Sequence, residues 1–162
     1  MPNRTRLAGF TGFAALTASL GFILAACGAL GGVASPTAGP LVTVTIHGGE
    51  CTGVPCDQTI YLGQDGRVHV AAKPPNDLGT VPAAQMVAIT TAIGATDWAK
   101  LEAPTFTGQC PTAVDGQELI FEFATSSGMQ RISSCQVAID WGSPLFLALG
   151  AALAQWVPIP KA

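Results

Sequence analysis

Apolar and polar residues alternate from Leu41 to His47. Val42, Val44 and Ile46 fall on one side, and Thr43, Thr45 and His47 on the other. A period of two predicts a half-buried strand. The same pattern recurs in Thr59–Leu62 and Arg67–Ala71, on either side of Gly63-Gln64-Asp65-Gly66. Asp-Gly between strand-forming runs marks a hairpin turn, because glycine accepts a positive φ. Ile60, Leu62, Val68 and Val70 would share the inner face, and Pro74-Pro75-Asn76-Asp77 would end the strand. A second hairpin is expected where Leu119, Phe121 and Phe123 alternate with Ile120, Glu122 and Ala124. It turns at Ser126-Ser127-Gly128 and returns along Met129–Gln136.

Two segments carry a helical period instead. Pro82 suits the first turn of a helix running to Ile93, since its missing N–H costs nothing there. Met86, Ile89 and Ile93 form the stripe, and Gly94 is a candidate for the residue that ends it. Trp98 and Leu101 are expected to fold back onto the sheet, followed by a loop from Pro104 to Gly116. In the last segment Ser143 would cap a helix with Pro144 at its first position. Leu145, Leu149, Leu153 and Trp156 make its stripe and Pro158 closes it. The run from Gly142 to Pro160 has no charge, yet between those two prolines it is too short to span a bilayer, so a core helix is expected. The order β-β-β-α-β-β-α predicts an α+β domain with a mostly antiparallel sheet and two helices packed on one face.

The amino-terminal segment follows a different pattern. Met1 to Arg6 carries Arg4 and Arg6 and no acid, and Leu7 to Ala26 carries no charge at all. A basic start, an apolar stretch and small residues before a cut describe an export signal. Leu24-Ala25-Ala26-Cys27 resembles the lipobox of bacterial lipoproteins. The resemblance implies a signal peptide over 1–26, a diacylglyceryl group on the Cys27 thiol, and cleavage just before it. More than one acyl chain would hold the protein durably, at about 0.8 kcal/mol per buried CH₂. Residues 27–40 are mostly Gly, Ala, Ser and Pro, without charge or period, and read as a tether. Residues 41–160 would then be one domain on the extracytoplasmic side of the cell envelope, at the outer face of the plasma membrane or in an outer membrane.

Export changes how the other cysteines are read. Cys51, Cys56, Cys110 and Cys135 are an even number in an oxidising compartment, which predicts two disulfides. Of the three possible pairings, the one between nearest neighbours is favoured, Cys51 to Cys56 and Cys110 to Cys135, worth about 2 and about 3.5 kcal/mol in the chain-entropy model. His47, Cys51 and Cys56 could in principle ligate zinc, but the spacing fits no standard site and export favours oxidation.

The charge balance narrows the partners. The chain has seven basic and ten acidic side chains. Removing Arg4 and Arg6 leaves five against ten, near −5, which opposes nucleic-acid binding. No motif supplies a nucleophile, a base and an oxyanion hole. Glu118 and Glu122 alternate outward on one strand as solvated residues do, and His69 lies on a polar strand face. No catalytic, cofactor or metal residue is assigned. The loop from His47 to Cys56, with Gly48, Gly49 and Glu50, and the loop from Pro104 to Asp115, with Phe106, would both be stapled. Stapled loops lose less entropy on association and suit binding. The function expected is a non-enzymatic protein-binding or structural module whose partner is an envelope or secreted protein.

Two alternatives remain open. Thr59–Val70, Pro82–Trp98 and Leu119–Trp156 together resemble, in outline, the small emfourin-like inhibitors of thermolysin-type metalloproteases. That resemblance implies a secreted-protease inhibitor. A hydrolase with a site assembled from scattered residues is the other.

Overall fold

The computed structural model of the chain describes residues 39–49, 56–74 and 76–160. Cys27, Glu50 and Cys51, and with them the lipobox and the centre of the first stapled loop, lie outside the described residues.

Among the described residues six strands form a single sheet: β1 (Val42–Gly48), β2 (Asp57–Leu62), β3 (Arg67–Val70), β4 (Asp77–Thr80), β5 (Gln117–Thr125) and β6 (Gly128–Ser133). Their spatial order is β4-β3-β2-β1-β5-β6, and every neighbouring pair is antiparallel. Among the described residues three helices accompany them, α1 (Ala83–Ala95), α2 (Trp98–Glu102) and α3 (Pro144–Leu153), with a 3₁₀ turn at Pro111–Val114. The architecture is the expected α+β class.

Register explains the two faces. One cross-strand row reads Val70, Ile60, Val44, Phe121, Ile132, and the next reads Val68, Leu62, Val42, Phe123. Apart from half-buried Val70, these side chains are buried, and Ile89, Ile93, Leu145, Phe146, Leu149 and Leu153 from α1 and α3 join the same core. Each fully buried aliphatic or aromatic side chain of this kind contributes about 1.5–3 kcal/mol. The opposite face is polar. Its longest row runs Asp77, His69, Tyr61, Thr43, Glu122, Arg131 across all six strands. Side chains alternate along a strand, so one pattern of alternation fixes both faces.

The structure adds and corrects elements. Three strands were expected before α1, and there are four among the described residues. Asp77–Thr80, short and without a β-branched run, forms an edge strand whose register shifts against β3 between Val68 and His69. Gly79 there has a positive φ of 148°, and a Cβ on it would lie 2.9 Å from the Trp156 ring. Packing against the segment after α3, rather than strand propensity, places this strand.

Gly94 does not end α1. The helix continues through it to Ala95, and Thr96 closes it by donating from Oγ1 to the Ala92 carbonyl at 2.7 Å. Two helices were expected in the domain and three are present among the described residues, the additional one being the short α2. Its cap, Asp97, accepts from the Lys100 N–H at 3.1 Å. Trp98 in α2 does fold back, with its ring 5.1 Å from that of Phe123.

In α3, Ser143 and Pro144 occupy the positions expected. The Ser143 hydroxyl, however, makes no capping hydrogen bond and is buried without a partner among the described residues. The helix stops at Leu153, before Trp156. Phe146, outside the expected stripe, is buried and meets Phe121 and Trp141 edge-on at 5.2 and 5.1 Å. With ten residues, α3 is too short to cross a bilayer, and no helix among the described residues is long and apolar enough to do so.

Candidate binding cleft

The loop between α2 and β5 is built onto the segment that follows β6. Thr105 and Val137 form an isolated antiparallel bridge. The Phe106 N–H donates to the Gln136 carbonyl at 2.9 Å, and the Ala138 N–H donates to the Pro104 carbonyl at 2.8 Å. Cys110 and Cys135 are joined by a disulfide, with their Cα atoms 5.1 Å apart. This is the longer of the two expected bridges, and it ties the loop to the end of β6. Cys56 is also disulfide-bonded, and its partner lies outside the described residues.

Within the loop, Ala113 N–H donates to Cys110 and Gly116 N–H to Pro111, at 3.0 and 2.8 Å. Asp115 sits between them in the left-handed region at φ 58°. Few residues other than glycine, asparagine and aspartate tolerate that conformation, and it turns the chain into β5.

Between this loop and the chain beyond β6 lies a cleft of about 600 Å³. Phe106, Pro111, Leu119, Val137, Trp141 and Pro158 supply most of its apolar wall, and Gln117, Ser134 and Asp140 its polar points. Ser134 Oγ accepts from the Leu119 N–H at 2.9 Å, and Asp140 Oδ1 accepts from the Gly142 N–H at 3.0 Å. These polar atoms are thus held by backbone. A mostly apolar cleft with a few fixed polar groups, in the usual range of about 300–1,000 Å³, is the form a ligand site takes. A second cleft of about 600 Å³ lies along α2 and the start of α3, lined by Thr96, Lys100, Leu101 and Ser143. It shares Ala138 and Asp140 with the first.

The residues singled out in the sequence converge in part. Phe106 lines the first cleft, half-buried, and its ring lies against Gly108, where a Cβ would come within 2.8 Å of the ring. Gly48 ends β1 opposite Gln117 with φ 79°, and a Cβ there would meet Thr112 at 2.9 Å and the Gly116 carbonyl at 3.0 Å. Gly49 lies against the Gln117 side chain. Gly48 and Gly49 therefore touch the loop and the residue that line the cleft, rather than forming a separate surface. Trp141, Gln117 and Asp140 were not anticipated. Trp141 could have been suspected as an aromatic just before a helix cap. The other two are brought in by chain segments distant in sequence.

Two histidine–carboxylate pairs lie on the polar face. His47 Nδ1 is 2.5 Å from Asp57 Oδ1, and His69 Nδ1 is 2.7 Å from Asp77 Oδ1. Each joins adjacent strands. Neither imidazole meets a hydroxyl group in the hydrogen bonds among the described residues. Glu122 lies 3.8 Å from Arg131 on the same face. Glu118 departs from the solvated position expected: it is half-buried and accepts a hydrogen bond from the buried Ser133 hydroxyl.

No family model, curated protein or solved structure matches this chain.

Proposed function

We propose that this protein is a lipid-anchored lipoprotein of the cell envelope whose domain is a non-enzymatic binding module, and that the cleft beside the Cys110–Cys135 bridge receives an apolar element of an envelope or secreted protein. The anchor rests on Leu24-Ala25-Ala26-Cys27 and the uncharged segment before it. One observation carries the binding reading. The wall of the cleft that bears Phe106 is a loop, yet it is held by a disulfide, a β-bridge and two backbone hydrogen bonds. A loop ordered in advance loses less entropy when a partner seats on it. The acidic balance of the exported part keeps nucleic acid out of consideration as partner.

The test is made in the native envelope with the full chain. A photo-crosslinking amino acid at position 106 should give one discrete adduct, absent when the same group replaces Lys73, an exposed residue after β3. The same diffuse pattern from both positions would remove the cleft as the binding surface. Cys27→Ser should abolish lipid labelling and processing, and a labelled mutant would remove the anchor.

A further inference from the structure

The carboxylate of Glu118 lies beside the Cys110–Cys135 bridge. A Glu118 oxygen and the two Sγ atoms all fall within 4.8 Å of one another, and all three residues are half-buried. We propose that this cluster is a redox-gated metal site: when the bridge is reduced, Cys110, Cys135 and Glu118 bind one thiophilic divalent cation, Zn²⁺ being the reference ion.

Three observations support the assignment. First, Glu118 is held in place. Ser133 Oγ donates to its Oε1 and also accepts the Cys135 N–H at 3.2 Å, so one buried hydroxyl positions both the carboxylate and the backbone of a sulfur ligand. Second, Glu118 forms no ion pair with a lysine, arginine or histidine among the described residues. A bound cation would supply the positive partner that this carboxylate does not find among the described side chains. Third, the Thr112 hydroxyl lies 3.1 Å from the Cys110 sulfur and is placed to donate to it, which would orient that sulfur as a ligand.

The dimensions agree. Zn–S distances of about 2.3 Å and Zn–O distances of about 2.0–2.2 Å place tetrahedral ligand atoms about 3.3–3.8 Å apart. The two sulfurs, now bonded to each other, separate to that spacing on reduction, and the Glu118 oxygen, within 4.8 Å of both, joins them by side-chain adjustment. Two thiolates and a carboxylate leave a fourth position for water.

The chemistry balances. A dithiol reductant gives two electrons and two protons to the Cys110–Cys135 disulfide, yielding two thiols, and itself becomes a disulfide. Binding of the cation then releases the two thiol protons to solvent. Reoxidation reverses both steps, so metal and disulfide exclude each other.

The test uses the full chain with Cys27, Cys51 and Cys56 replaced by serine, so that no other thiol competes. It is reduced anaerobically with a dithiol, freed of reductant and titrated with Co²⁺. The expected result is one Co²⁺ per chain with a sulfur-to-cobalt charge-transfer band in the near ultraviolet, displaced by Zn²⁺. Glu118→Gln should weaken binding by about 10- to 100-fold or more, the range typical even of groups that only orient a ligand. Zn²⁺ should also slow re-formation of the bridge by oxidised glutathione. Three results would overturn the proposal: no charge-transfer band, unchanged affinity in Glu118→Gln, or loss of the far-ultraviolet circular dichroism of the fold on reduction.

Discussion

The two halves of the sheet, divided by β1, solve the same packing problem in different ways. On the β5–β6 side the core is aromatic. Phe121, Phe123, Phe146, Trp98 and Trp141 form a connected set with ring centroids 5.1 to 6.2 Å apart. On the β2–β3 side it is aliphatic, with Ile60, Leu62 and Val68 nearly inaccessible. The first half carries long loops, a disulfide and the cleft. The second has a tight turn, where the Gly63 N–H donates to the Arg67 carbonyl at 2.8 Å, and a short, shifted edge strand. A tight hairpin needs no staple because little chain entropy is lost in closing it. A long loop that must hold a surface does. The half that carries the candidate site is therefore also the half with the larger rings and the Cys110–Cys135 tie.

The largest effect should come from breaking the aromatic set. Phe121→Ala should cost about 3–5 kcal/mol in urea unfolding, because Phe121 meets three other rings and is fully buried. A cost below about 1.5 kcal/mol would mean that the rings do not form one packed unit.

Opening the staple comes next. Cys110→Ser with Cys135→Ser closes no loop across a sequence separation of 25. It should lose about 3.5 kcal/mol by chain entropy. Hydrogen exchange should show where: protection should fall in residues 104–116 and 134–140 and persist in β2 and β3. A uniform loss across the sheet would erase the distinction between the halves.

On the other side, Gly79→Ala should cost about 1–3 kcal/mol, through overlap with Trp156 and a positive φ. An unchanged melting temperature would show that β4 can shift freely. The smallest effect is expected at Ile60→Val, about 0.5–1.5 kcal/mol, a one-methylene deletion in a flexible aliphatic surround. A larger value would indicate that the aliphatic half is as tightly interlocked as the aromatic one.

How much was legible varied with the range of the interaction. The alternation in Leu41–His47, Thr59–Leu62 and Leu119–Phe123 identified strands and inner faces, because a strand with one buried face must alternate. The turns at Asp65-Gly66 and Ser127-Gly128 were visible for a local reason as well, since each needs backbone freedom at a glycine. Phe146 escaped because the helix stripe was drawn through leucines, and α3 buries a wider arc, with five of its ten residues in the core. Of the candidate site, Phe106, Gly48 and Gly49 were readable as members of suspicious loops. Gln117 and Asp140 were not, since nothing local marks them, and Trp141 carried only the weak signal of an aromatic just before a helix cap.

By itself, then, the sequence determined the class of fold, the faces of the strands and both hairpins, and only favoured the partner of Cys110. Each of these follows from periodicity, turn chemistry or sequence proximity. Only the tertiary structure decided that β5 lies beside β1, that Asp77–Thr80 becomes an edge strand, and that α1 runs through Gly94 to a threonine cap. It also decided that Glu118 is drawn out of solvent to the Cys110–Cys135 bridge, and that two loops meet at one cleft. Those outcomes depend on which distant segments compete best for the same buried surface, and no window along the chain contains both competitors.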